Sequence, residues 1–158
     1  MQKTNVMRIL DQKKIPYEPH FYPHGAEAVD AESVAALIGR ELRQVYKTLV
    51  ARGASRACYV FVIPAGRELD LKKAALAVGE KSIAMLHLSE LTPTTGYVRG
   101  GCSPIGMKKQ LPTCLDSSAR TMPRIIVSAG KIGAQVELSP DDLLSLINGS
   151  YQDLVIED

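Results

Sequence analysis

The sequence predicts an α+β fold built on a mixed sheet. Strand-like apolar runs cluster in the middle of the chain, and helical periods interrupt them irregularly instead of in a βαβ succession. No Ser/Gly/Pro-rich linker, repeat or low-complexity tract divides the 158 residues. That length suits a single domain over residues 1–158, large enough to bury a core without a disulfide or metal staple.

Thr4 stands where an N-cap is needed ahead of Val6, Met7 and Leu10 at helical spacing. This helix should stop before Ile15-Pro16, because the residue ahead of a proline avoids the helical region. Tyr17–Tyr22 reads as a short edge strand, with prolines at 19 and 23. Asp30 caps a helix over Ala31–Ile38, and Gly39 ends it. Val45–Ala51 and Ala57–Ile63 form two strands joined around Gly53. Asp70 and Gly79 bracket a helix over Leu71–Val78. Ser82–Leu86 follows as a strand, and Ser89–Leu91 as one helical turn. Thr113–Asp116, Arg124–Ser128 and Gln135–Leu138 are further strands. Ser139 caps the last helix, with Pro140 at its first position and Asp141 and Asp142 at the positive end of its dipole. Asp153–Ile156 is expected as a closing strand.

Hydrophobic residues at 46% and charged residues at 23% are ordinary for a globular domain. No apolar run nears the ~20 residues of a membrane span, and Met1–Asn5 lacks the apolar core of a signal peptide. Cys58 and Cys114 look like small core hydrophobes, and no CxxC or Cys/His spacing suggests zinc. The expected compartment is the reducing cytoplasm, with no membrane partner. All 19 Lys+Arg fall within residues 1–131 against 11 Asp+Glu, whereas the last 27 residues carry six acids and no base. The basic excess suits either a polyanion such as RNA or an ordinary solvated surface.

Alternation puts Lys47 on one strand face with Val45, Leu49 and Ala51. Either its stem covers apolar surface, or its ammonium lines a cleft and holds a phosphate or oxyanion. Gly100-Gly101-Cys102-Ser103-Pro104 reads as a tight turn, or as a loop whose bare N–H groups approach a ligand. Cys102 and Ser103 lack a His/Asp partner at recognisable spacing, which argues against a protein nucleophile. Ser128–Gly133 is small, Gly-rich and basic, but is not a Walker A loop. His20, Tyr22 and His24 form a polar-aromatic cluster whose prolines argue against a helical metal site. Lys72-Lys73 and Lys108-Lys109 are basic pairs of the kind that sit on solvated faces or contact phosphates.

Several separated motifs occur in order: Val45-Tyr46-Lys47-Thr48-Leu49, residues 68–74 (ELDLKKA), residues 95–106 (TGYVRGGCSPIG), residues 127–131 (VSAGK) and Val136-Glu137-Leu138. Over nearly its whole length the chain resembles the YbaK/EbsC family of bacterial Cys-tRNA(Pro) deacylases. These are relatives of the editing domain inserted in prolyl-tRNA synthetases. The resemblance implies a central, mostly antiparallel, mixed barrel-like sheet surrounded by helices. It implies removal of cysteine from mischarged tRNA(Pro), with tRNA(Pro) and prolyl-tRNA synthetase as partners in a ternary complex. Lys47 matches the family's essential lysine, and Thr48 its neighbouring threonine. Gly100 to Pro104 match a GxxxP loop whose backbone at Gly101 lies beside the substrate carbonyl. Ser128 matches a pocket serine and Tyr22 a pocket tyrosine. The implied mechanism uses no metal, cofactor or protein nucleophile: the substrate's own thiol attacks its ester and leaves as a thiolactone. The best-known branch has phenylalanine near Val29-Asp30 and aspartate near Gln135, so the pocket rim differs here. A deacylase for Ala-tRNA(Pro) or another small amino acid, or a non-catalytic tRNA- or synthetase-binding module, are the competing readings.

Overall fold

The computed structural model describes residues 2–25 and 29–157. Local chemistry sets the helix starts. Thr4 Oγ1 accepts from Met7 N at 3.2 Å, Asp30 Oδ2 from Ser33 N at 3.2 Å, Asp70 Oδ1 from Lys72 N at 3.0 Å, and Ser139 Oγ from Asp142 N at 3.3 Å. These caps open α1 (Asn5–Gln12), α2 (Ala31–Ile38), α3 (Leu71–Val78) and, after α4 (Leu88–Thr95), α5 (Pro140–Ile147). Gly39 and Gly79 end α2 and α3 at φ +71° and +72°, a left-handed conformation that costs a residue without Cβ little. α4 extends well past the single turn expected at Ser89–Leu91 and holds Pro93 inside it. Short 3₁₀ turns at Leu42–Gln44 and Ser117–Thr121 were not legible as elements.

The strands are β1 (Glu18–Phe21), β2 (Tyr46–Gly53), β3 (Cys58–Pro64), β4 (Ile83–Met85), β5 (Thr113–Asp116), β6 (Ile125–Lys131), β7 (Ala134–Leu138) and β8 (Ser150–Gln152). They form an antiparallel sheet in the order β1-β7-β6 and a mixed sheet in the order β4-β2-β3-β5-β8. β3-β5 and β5-β8 are parallel, and the other pairs are antiparallel. The α+β, mostly antiparallel character is therefore as expected. The sheet is not closed as a barrel: an isolated parallel bridge, Val45–Ile126, joins the two sheets.

The closing strand lies earlier than Asp153–Ile156. Asn148, at φ +54°, turns the chain straight from α5 into β8. Beyond it the backbone is committed elsewhere. Leu154 N donates to Asp116 Oδ1 at 3.0 Å, and Leu154 O accepts from Asp70 N at 2.8 Å. Val155 makes one isolated bridge, with Leu69.

The mixed sheet is buried on both faces, as alternation along β3 requires. Val60 and Val62 face a core shared with α1, α5 and the antiparallel sheet, including Leu10, Leu143 and Val136. Phe61 and Ile63 point the other way, onto Ala74 and Ala75 of α3 and onto Leu154. A small third cluster, Ala35, Val45 and Ile126, lies at the junction of the sheets with α2. Each fully buried large side chain contributes about 1.5–3 kcal/mol. This packing holds the two sheets rigidly where they meet.

Candidate functional site

From the Val45–Ile126 bridge, β2 and β6 run on without further pairing. β4 pairs only with the far end of β2, at Ala51–Gly53, so the edge at Lys47–Leu49 is left open. A cavity of about 420 Å³ fills this divergence, within the usual size of a small-ligand site. β2 supplies Tyr46, Lys47, Thr48 and Leu49 to its wall. Ser128 of β6, Gln135 of β7, Tyr22 after β1, Ala31 and Val34 of α2, and the loop residues Arg99, Gly100 and Cys102 complete most of the rest.

Five of the seven residues singled out by sequence thus share one cavity: Tyr22, Lys47, Thr48, Gly100 and Ser128. Gly101 and Pro104 do not line it. The Gly101 N–H donates to Val98 O at 3.0 Å, so it is engaged in the turn and is not free to meet an oxyanion. A Cβ built on Gly101 would lie 2.9 Å from Lys131 Cα, so glycine there lets the loop pack against the β6–β7 turn. Pro104 is buried beneath the loop.

The polar groups of the cavity are unevenly satisfied. Lys47 has no hydrogen-bond or ion-pair partner among the described residues. Thr48 Oγ1 is buried without a hydrogen-bond partner, the one such side-chain atom among the described residues. A buried, unpaired hydroxyl costs about 1–3 kcal/mol, which a ligand partner would recover. Ser128 Oγ accepts from Gly130 N at 3.1 Å, across the register shift in β6. His20, Gln135 and Ser128 stand opposite one another across β1, β7 and β6. Gln135 Nε2 donates to Tyr22 Oη at 3.5 Å, and both residues are buried.

Among the described residues, nothing lining the cavity is an activated nucleophile. Burial pushes the Cys102 thiol up to about 11, so it is neutral at physiological pH. Ser103, fully buried, spends its Oγ on Ile105 N at 3.2 Å. No carboxylate lines the cavity among the described residues, which leaves Lys47 and Arg99 as its charged groups.

Two residues along β7, Glu137 lies 6% exposed. His20 Nε2 is 2.8 Å from its Oε1, Arg40 Nε donates to the same oxygen at 3.0 Å, and Arg40 also reaches Glu18 Oε2 at 2.8 Å. Burial would raise the Glu137 carboxyl, but His20 and the Arg40 guanidinium together hold it below the usual carboxylate range. Glu18, His20 and Glu137 bring potential metal-ligand atoms within 4.8 Å of one another. Arg40 already binds both carboxylates, so this donor set is built as an ion-pair cluster that ties the end of α2 to the sheet.

Arg99, Cys102 and the α2 residues were not singled out as site residues by sequence. Arg99 had a signal in its place beside Gly100. The α2 residues had none, because a tertiary approach puts them there. Lys72 and Lys108 lie away from the cavity. No helix is long and apolar enough to cross a membrane among the described residues.

A family model described as an aminoacyl-tRNA editing domain matches residues 25–146. An Enterococcus faecalis protein, EbsC, named as a candidate Cys-tRNA(Pro)/Cys-tRNA(Cys) deacylase, is 50% identical over 157 residues, covering 99% of this chain and 96% of its own. The crystal structure of a candidate trans-editing enzyme for prolyl-tRNA synthetase superposes with TM-score 0.83 at 26% identity, over 99% of this chain and 100% of that one. The crystal structure of the hypothetical protein APE2540 superposes with TM-score 0.86 at 19% identity, covering 96% and 99%, which bears on the fold alone.

Proposed function

The chain belongs to the aminoacyl-tRNA editing domain family and is an aminoacyl-tRNA deacylase; we propose that it removes cysteine from mischarged tRNA(Pro) with the substrate's own thiol as nucleophile. The observation that carries this reading is a cavity that, among the described residues, has an unpaired lysine and an orphaned threonine hydroxyl but no activated protein nucleophile and no carboxylate base. The relative at 50% identity supports cysteine as the amino acid.

In this mechanism the cysteinyl sulfur attacks its own ester carbonyl. A C–S bond forms, and the C–O bond to the terminal ribose breaks. The thiol proton goes to the departing ribose oxygen, giving a cyclic thiolactone and free tRNA. Folding the substrate into the cavity makes this attack intramolecular, and positioning alone supplies much of the rate. Lys47 holds the terminal phosphate or ribose end, and its charge favours the developing oxyanion. Thr48 Oγ1 supplies a hydrogen bond to the same end of the substrate. Gly100 gives the loop its close approach to the carbonyl, at φ +83°. Ser128, Gln135 and Tyr22 shape the opposite wall, around the amino-acid side chain. Pro104 fixes the loop from below. Prolyl-tRNA synthetase bound to the same tRNA supplies the tRNA selectivity, and the reaction takes place in the cytoplasm.

The test is deacylation of Cys-tRNA(Pro), Ala-tRNA(Pro) and Pro-tRNA(Pro) by wild type and Lys47→Ala. Cysteine-selective turnover that is lost in Lys47→Ala is the expected result. Equal turnover of Ala-tRNA(Pro) would overturn the thiol-assisted step. Turnover of none, with synthetase present, would overturn the choice of tRNA(Pro).

A further inference from the structure

The cavity is not an isolated hollow. Tyr22 forms part of its wall and also part of a second hollow of about 360 Å³, lined by Phe21, His24 and Lys131. Gln2 and Lys131 are shared in turn with a third hollow of about 290 Å³, which reaches Arg8 and Tyr97 beside α1. Close packing of the Gly101 backbone on Lys131 joins the cavity's loop directly to the hairpin turn of the second hollow. The three hollows therefore adjoin in sequence between Lys47 and Arg8, first at Tyr22 and then at Gln2 and Lys131.

No Asp or Glu lines any of the three among the described residues. The path's cations are also mostly unspent. Lys47, Arg99, Lys131 and Arg8 have no side-chain hydrogen bond or ion pair among the described residues, and only Lys3 is paired, with Asp11. A groove elsewhere shows the contrast: beside β4, Arg52 is neutralised by Glu90 at 2.6 Å. Rings stand along the path as well. His24 is exposed and lies on Gly133, where a Cβ would fall 2.0 Å from its ring, and Phe21 is half-buried beside it.

We propose that this path, free of carboxylates among the described residues, is the track of the RNA strand leaving the cavity, with Lys131 and then Arg8 binding successive backbone phosphates and Phe21 and His24 offering faces to unstacked bases. The inference rests on the deacylase reading, which puts the aminoacyl 3′ end in the cavity. Unpaired cations on a surface without acids suit a phosphodiester chain, and aromatic faces accept bases without sequence preference. The track explains how a cavity of this size serves a much larger substrate: it takes the end, and the groove takes the strand.

The test uses the full chain with Arg8→Glu, Lys131→Glu and the double variant, and Lys72→Glu on α3 as a charge-matched control. Binding of uncharged tRNA(Pro) transcript is measured between 50 and 200 mM salt. Each track reversal is expected to weaken binding about tenfold, and the double variant to reduce the salt slope by about 1.4, at ~0.7 for each phosphate no longer held. Lys72→Glu should stay within about twofold. Unchanged tRNA binding in the double variant, or an equal loss in Lys72→Glu, would overturn the track. Arg8→Gln and Lys131→Gln repeat the measurement should a reversal impair folding. A wild type that binds tRNA through these residues yet deacylates nothing would instead overturn the functional reading and leave the track standing.

Discussion

One face of the β1-β7-β6 sheet carries two buried polar residues of opposite design, two positions apart on β7. Glu137 is partnered within the protein: His20 and Arg40 both bind its Oε1, and Arg40 goes on to Glu18. Gln135 faces a cavity whose lysine is unpaired and whose threonine hydroxyl has no partner among the described residues. Burial alone therefore does not mark function in this molecule. Polar groups partnered within the protein hold α2 against the sheet, and those left unpartnered are the ones the proposed function assigns to the substrate.

The largest test of that contrast is Lys47→Ala. It should lower deacylation by about 10²–10³-fold, the usual cost of removing one group that stabilises a developing charge. Because Lys47 pairs with nothing among the described residues, the unfolding midpoint in urea should hardly move. Glu137→Ala should do the reverse. It strands Arg40 and His20 beside a buried site and costs about 2–4 kcal/mol in urea unfolding, discounted because Arg40 is partly exposed. Residual activity per folded molecule should stay within a few fold. If Lys47→Ala destabilised the fold and Glu137→Ala did not, the assignment of the two ends would be reversed.

Thr48→Val sharpens the contrast on a smaller scale. The hydroxyl is unsatisfied in the free protein, so its removal should leave stability equal or slightly higher, while deacylation falls about tenfold, near 1.4 kcal/mol. The smallest effect is expected from pH. The Glu137 carboxyl is held below its unfolded value of 4.5. Its contribution to stability is therefore complete above that pH and lost as pH falls through the folded value. Urea unfolding of wild type at pH 7, 5 and 3.5 should show that loss, and Glu137→Gln should show less of it. Equal slopes in the two proteins would place the acid sensitivity elsewhere.

Much of this was legible residue by residue. Thr4, Asp30, Asp70 and Ser139 cap the helices as their chemistry dictates, and Gly39 and Gly79 end two of them. Alternation correctly set Lys47 apart on a largely apolar face. The misplaced final strand failed for a tertiary reason: parallel pairing with β5 selected Ser150–Gln152, and Leu154 went to cover α3. The engaged N–H of Gly101 was equally hidden, since a glycine pair does not reveal which amide its own turn consumes. Arg99 and the walls from α2 reach the cavity through tertiary packing that no local pattern encodes.

The Val45–Ile126 bridge has a consequence for substrate selection. It acts as a fulcrum: Lys47 stands on one arm and Ser128 on the other, each two residues out. A small change in splay at the fulcrum becomes a change in aperture between the arms. If the amino acid lies between the arms as the proposed function has it, the aliphatic residues packed there, Ala35 and Val45 with Ile126, set its room by packing alone, without recognising it chemically.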